Sequence, residues 1–106
     1  MAEYRHLLDY IVAEYIALMD VLMQKRPVKS GVILIDREEL TKALDKNKYL
    51  PSAEKLRIYK QLNMLVATGE GVSRVVYDPG QKKAVRKIAL NTETYERLKK
   101  LLRFEG

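Results

Sequence analysis

Between about Glu3 and Lys25, apolar residues return at alternating spacings of four and three: Tyr4, Leu8, Ile11, Tyr15, Leu18 and Leu22. That rhythm draws one stripe along a helix. Val12, Ile16, Met19 and Met23 repeat it one position further on, leaving a narrow polar edge through Glu3, His6, Asp20 and Gln24. Two readings fit so wide an apolar face, a deeply embedded core helix or one that also packs against a second copy. Arg26-Pro27 ends the helix, because proline lacks the amide a helix interior needs and disfavours helical geometry in the residue before it. After a Ser30-Gly31 joint, Val32 to Ile35 is a short apolar run suited to a buried strand.

Asp36 is placed to cap a second helix over Arg37 to Leu44, with Glu39 completing a capping box and Leu40, Ala43 and Leu44 facing inward. Residues Asp45 to Tyr49 are polar turn formers. Leu50-Pro51-Ser52 then starts a third helix, with Ser52 as cap, predicted to run to about Ala67. Its wheel gathers Ile58, Tyr59, Leu62, Leu65 and Val66 on one side and Ala53, Leu56, Arg57, Lys60 and Met64 on the other. Gly69 and Gly71 close it. Val72 to Tyr77 and Lys83 to Leu90 are two strand-forming runs, joined by Asp78-Pro79-Gly80-Gln81, whose proline and glycine suit a type II turn. The pattern ends on a helix from Thr92 to Arg103, acidic early and basic late, with Tyr95, Leu98, Leu101 and Leu102 on one side.

Charge sharpens this picture. Residues 1–45 hold six basic and eight acidic side chains, whereas residues 46–106 hold fourteen basic and six acidic. A field so divided attracts polyanions, with DNA, RNA and anionic membrane as candidates. The chain has no cysteine and a single histidine, His6, which removes disulfides, thiolate metal sites and cysteine nucleophiles. No glycine-rich phosphate loop and no acidic pair with metal-ligand spacing is present; Glu38 and Glu39 are adjacent, so they do not converge on one point. The composition predicts one cytoplasmic domain spanning residues 1–106, with no catalytic activity, no metal and no cofactor.

The predicted order is helix, strand, helix, turn, helix, hairpin, helix, and over residues 32–90 it resembles the winged helix-turn-helix superfamily. Leu62, Leu65 and Gly69 are similar to the spacing with which recognition helices of that superfamily end before the wing. The turn from Asp45 to Pro51 is longer than the family usually has. In size and layout the chain is also similar to small winged-helix accessory proteins of conjugative plasmids.

The resemblance implies an α+β winged helix-turn-helix fold, here with long N-terminal and C-terminal helices, that binds double-stranded DNA. Residue chemistry points the same way. A helix enters the major groove by its first turns, which nominates Ser52, Lys55, Leu56, Arg57, Lys60 and Gln61. Arg57 and Lys60 can donate to guanine or phosphate, Gln61 can pair with adenine, and Leu56 can meet a thymine methyl. On the hairpin, Arg74, Lys82, Lys83, Arg86 and Lys87 are candidates for the backbone or minor groove. Tyr77 and Tyr95 are expected to pack. A homodimer is expected, joined through Tyr4, Leu8, Ile11, Tyr15, Leu98 and Leu101 on the terminal helices, and no second domain is available to sense a small-molecule effector. Transcriptional regulation and a plasmid-transfer accessory role both fit. The competing class is a winged-helix module for protein–protein interaction, which would expose Leu56 and Met64 to a partner.

Overall fold

The computed structural model describes residues 2–67, 69 and 71–105, with the side chains of residues 2–5 and 103–105 left aside. It is an α+β fold of four helices and a small antiparallel sheet: α1 (Ala2–Lys25), β1 (Val32–Asp36), α2 (Arg37–Asp45), α3 (Ser52–Gln61), β2 (Leu65–Val66), β3 (Arg74–Asp78), β4 (Lys83–Asn91) and α4 (Thr92–Glu105). The chain divides into two units, Met1–Ile33 with Asn91–Gly106, and Leu34–Leu90. No helix among the described residues is long and apolar enough to cross a membrane.

The first unit pairs α1 with α4. Ile11, Tyr15, Met19 and Leu22 are the buried stripe of α1, so the structure draws its buried residues from both predicted stripes. The phenol of Tyr15 donates to the Asn91 carbonyl, and that of Tyr95 donates to Asp20, which also lies 3.4 Å from Lys99 Nζ. Burial pushes the Tyr15 phenol up, and its bond to Asp20 raises Tyr95 to about 12. The same bond holds the Asp20 carboxyl below its ordinary range. Ser30 and Gly31 both take positive φ between the paired residues Lys29 and Val32, as a type I′ turn requires. Thr92 then anchors the start of α4 by donating its amide (3.0 Å) and hydroxyl (2.8 Å) to the Gly31 carbonyl. Asn91 Oδ1 accepts the Glu93 amide at 3.0 Å, the capping bond of α4.

This packing corrects the expected subunit contact. Ile11 and Tyr15 are fully buried and offer no surface to a second copy. Leu8 and Leu98 are half-buried, Leu101 is exposed, and the side chain of Tyr4 lies outside the described residues.

In the second unit β4 is the central strand, between β1 and β2. Its first half pairs antiparallel with β3, from Asp78↔Lys83 to Arg74↔Lys87, and its end pairs with β2 through Leu65↔Leu90 and Val66↔Ala89. Ile35, Leu40, Leu44, Leu56, Tyr59, Met64, Leu65, Ile88 and Leu90 form its core.

Three local expectations change. First, α3 stops at Gln61, six residues before Ala67. Asn63 takes φ 59°, its amide donates to Lys60, and the Met64 amide donates to Tyr59 at 2.8 Å. That is a Schellman stop with asparagine in the left-handed position and a buried apolar pair, Tyr59 and Met64, across it. Leu65-Val66 is thereby released to pair with β4. Second, neither predicted cap uses its side chain. Pro51, not Ser52, holds the N-cap position of α3, and Asp36, at the N-cap of α2, makes no side-chain capping bond. Third, the hairpin turn is not type II, because Lys82 and not Gly80 carries the positive φ, 58°. Asp78 Oδ1 accepts the Gly80 and Gln81 amides, and the Lys82 amide closes the loop on the Asp78 carbonyl at 2.7 Å.

Candidate nucleic-acid interface

Residues 34–90 carry twelve basic and seven acidic side chains, so most of the chain's net charge of +6 sits on this unit. Where each charge points depends on helix phase and strand register. On α3 the exposed positions are Ala53, Glu54, Arg57 and Gln61, with Ser52, Ile58 and Lys60 half-buried beside them. Arg57 lies 3.7 Å from Glu54 with 70% of its side chain exposed, an ion pair so solvated that releasing it costs little.

Two members of the predicted set face the other way. Lys55 is 0% exposed, and its Nζ donates to the carbonyls of Leu44 (2.7 Å) and Asn47 (2.8 Å). It is therefore a strut across the α2–α3 turn, satisfying carbonyls at the negative end of α2 instead of reaching a ligand. Leu56 is core at 3% exposure and cannot meet a thymine methyl; Met64 is core as well. The surface on which a partner was expected to cover Leu56 and Met64 is absent for the same reason.

The β3–β4 hairpin sorts its residues by alternation. Arg74, Val76 and Asp78 share a face with Lys87, Val85 and Lys83, and most of that face is half-buried. Lys87 is spent there. Its Nζ lies 2.9 Å from Asp78 Oδ2 and 3.2 Å from Asp36 Oδ1, and its side chain is 17% exposed. Gln81 Nε2 bridges the same two carboxylates at 2.9 and 3.0 Å. The bond from Lys87 holds the Asp78 carboxyl down at about 2, and the return effect raises Lys87. This clamp ties the start of α2 to the hairpin loop, which explains why Asp36 does not cap its helix. Lys87 is consequently corrected from a DNA contact to a structural ion.

Lys82, Lys83 and Arg86 are exposed and Arg74 is half-buried. Arg86 shares the opposite face with Val75, Tyr77 and Ala84, all exposed. Tyr77, expected to pack, is 63% exposed. Between the first turns of α2 and the start of β4 lies an open groove of about 690 Å³, lined by the basic Arg37, Lys42, Lys83 and Arg86 and by the acidic Asp36 and Glu38. Sequence reasoning missed Arg37 and Lys42, both exposed on α2, where Lys42 lies 3.5 Å from Glu38. Among the described residues no group of three His, Asp or Glu side chains is disposed to hold a metal ion.

The chain matches no protein-family model, and a search of the curated proteins gave no match.

Proposed function

We propose that this chain is a winged helix-turn-helix protein that binds double-stranded DNA sequence-selectively as a homodimer. In this reading α3 lies in the major groove, and the β3–β4 hairpin is the wing, resting on the backbone or in the minor groove. The observation that carries it is the distribution of surface cations on residues 34–90. With Lys55 buried and Lys87 held between Asp36 and Asp78, Arg57 and Lys60 on α3 and Arg74, Lys82, Lys83 and Arg86 on the hairpin remain, each exposed or half-buried. Arg57 and Gln61 recur four residues apart on the exposed stripe of a helix, the spacing from which side chains can address base edges in one groove. Apolar side chains left open on α1 and α4, including Leu8, Leu98 and Leu101, support a subunit contact there. Transcriptional regulation and a plasmid-transfer accessory role both follow from such binding.

The test is selection from random duplexes followed by a salt titration of the recovered site. With four to six phosphates neutralised per protomer, a dimer should give a log–log slope of roughly −7 to −11. Replacing Arg57 and Lys60 together by alanine should weaken binding at least about tenfold without changing the fold. A complex indifferent to salt, or no complex with any duplex, would overturn the reading.

A further inference from the structure

Among the described tyrosines only Tyr49 and Tyr77 are exposed, and both stand among cations of residues 34–90. Tyr49 follows the exposed Lys46 and Lys48 in the turn between α2 and α3. Tyr77 stands opposite Ala84 and diagonal to Arg86 on the hairpin, with Lys82 in the loop beyond. Its neighbour on that face, Val75, is 61% exposed. The acid nearest in sequence, Asp78, lies on the other face, bound by Lys87 and Gln81. The ribbon face at Tyr77 is thus aromatic and cationic, and no carboxylate of the ribbon shares it.

An intact duplex uses such a surface poorly. Its base faces are already stacked on one another, so it offers the ribbon phosphates and edges but no ring for an aromatic side chain to cover. An unpaired nucleotide offers both, a free base face for tyrosine and a phosphate for the neighbouring cation. We propose that the Tyr77–Arg86 face of the hairpin stacks an unpaired base, so that the preferred ligand is a duplex interrupted by unpaired nucleotides and not a continuous one. This rests on the DNA-binding reading and narrows its target.

The experiment compares the full chain on one 20-base-pair duplex with the same duplex carrying a three-thymine bulge, and on a third version with 2-aminopurine in the bulge. The bulged duplex should bind about tenfold more tightly, and 2-aminopurine emission should fall on binding as the base stacks. Tyr77→Ala should abolish both effects while leaving affinity for the intact duplex unchanged, and Tyr77→Phe should retain both. Thermal unfolding of each variant confirms that the hairpin persists. Equal affinity for intact and bulged duplex overturns the inference and leaves the DNA-binding reading standing, whereas absence of binding to either overturns both. Loss of self-association in Tyr77→Ala, with the bulge preference intact, would assign the face to a second copy and likewise overturn the inference.

Discussion

Replacing Lys55 by methionine should unfold this protein at a markedly lower temperature, although it removes a buried charge and keeps an apolar stem of similar length. Exchanging a buried ion pair for apolar groups is often neutral, because the desolvation cost disappears with the charges. Here only one side can be exchanged. The acceptors are the backbone carbonyls of Leu44 and Asn47, 2.7 and 2.8 Å from Nζ, and they remain after the mutation. A hydrogen bond from a charged donor contributes about 1.5–3 kcal/mol, and an unsatisfied buried carbonyl costs about 1–3 kcal/mol. Relief of ammonium desolvation offsets part of this, which leaves a net loss of about 2–3 kcal/mol. For a chain of this size that lowers Tm by about 10–20 °C. Thermal unfolding followed by circular dichroism measures it, with Arg57→Ala on the exposed side of the same helix as a control expected within about 0.5 kcal/mol of the parent. A Lys55→Met protein as stable as the parent would show that water reaches those carbonyls, and that Lys55 is not the strut described.

Lys82→Gly should stabilise the hairpin by up to about 1 kcal/mol, since φ 58° is strained for lysine and open to glycine, and it should also reduce the DNA salt slope by about one per protomer; a lower Tm would refute the turn assignment. Asp78 is held at about 2 by Lys87, against about 3.9 when unfolded. Its contribution is therefore complete above about pH 4 and lost as pH falls toward 2, and Lys87→Met should shrink this acid-limb loss in urea titrations at pH 2–5. Tyr95 is raised to about 12 by Asp20, so its contribution is complete below about pH 10 and lost as pH climbs toward 12. Absorbance titration at 295 nm should show late-ionising tyrosines, fewer by one in Tyr95→Phe, and a titration uniform near pH 10 would contradict the Tyr95–Asp20 bond.

Much of the element order was legible because it depends on period and punctuation. Proline at 27, the Ser30-Gly31 joint, the Leu50-Pro51 break and the start of α4 at Thr92 are each set by local backbone chemistry. The end of α3 was not, because Leu62, Leu65 and Val66 continue the helical rhythm while pairing with β4 decides the conformation. Asn63 was the available signal, as one of the few residues that tolerate the left-handed region. The Asp36 cap misled for a related reason. A carboxylate at an N-cap has a good partner in the helix amides, but a lysine and a glutamine brought from 45 or more residues away offered better ones.

Site residues were harder to place than elements because charge alone does not say which way a side chain faces. Of eight cations assigned to a polyanion from the sequence, the buried Lys55 is committed to carbonyls and the half-buried Lys87 to carboxylates. Both positions could be suspected only from their neighbours. Lys55 precedes Leu56 and stands four before Tyr59, on the buried side of α3, and Lys87 sits in register with Arg74 on the half-buried face of the ribbon. The correction bears directly on the proposed function. Six cations per protomer remain, and at about −0.9 per phosphate they limit a dimer's salt slope to roughly −11. A measured slope much steeper than that would require cations from outside this set, such as Arg37 and Lys42 in the groove beside β4 or Lys46 and Lys48 in the turn before α3. The salt titration therefore tests two things at once, whether the surface binds a polyphosphate and whether the assignments of Lys55 and Lys87 are right.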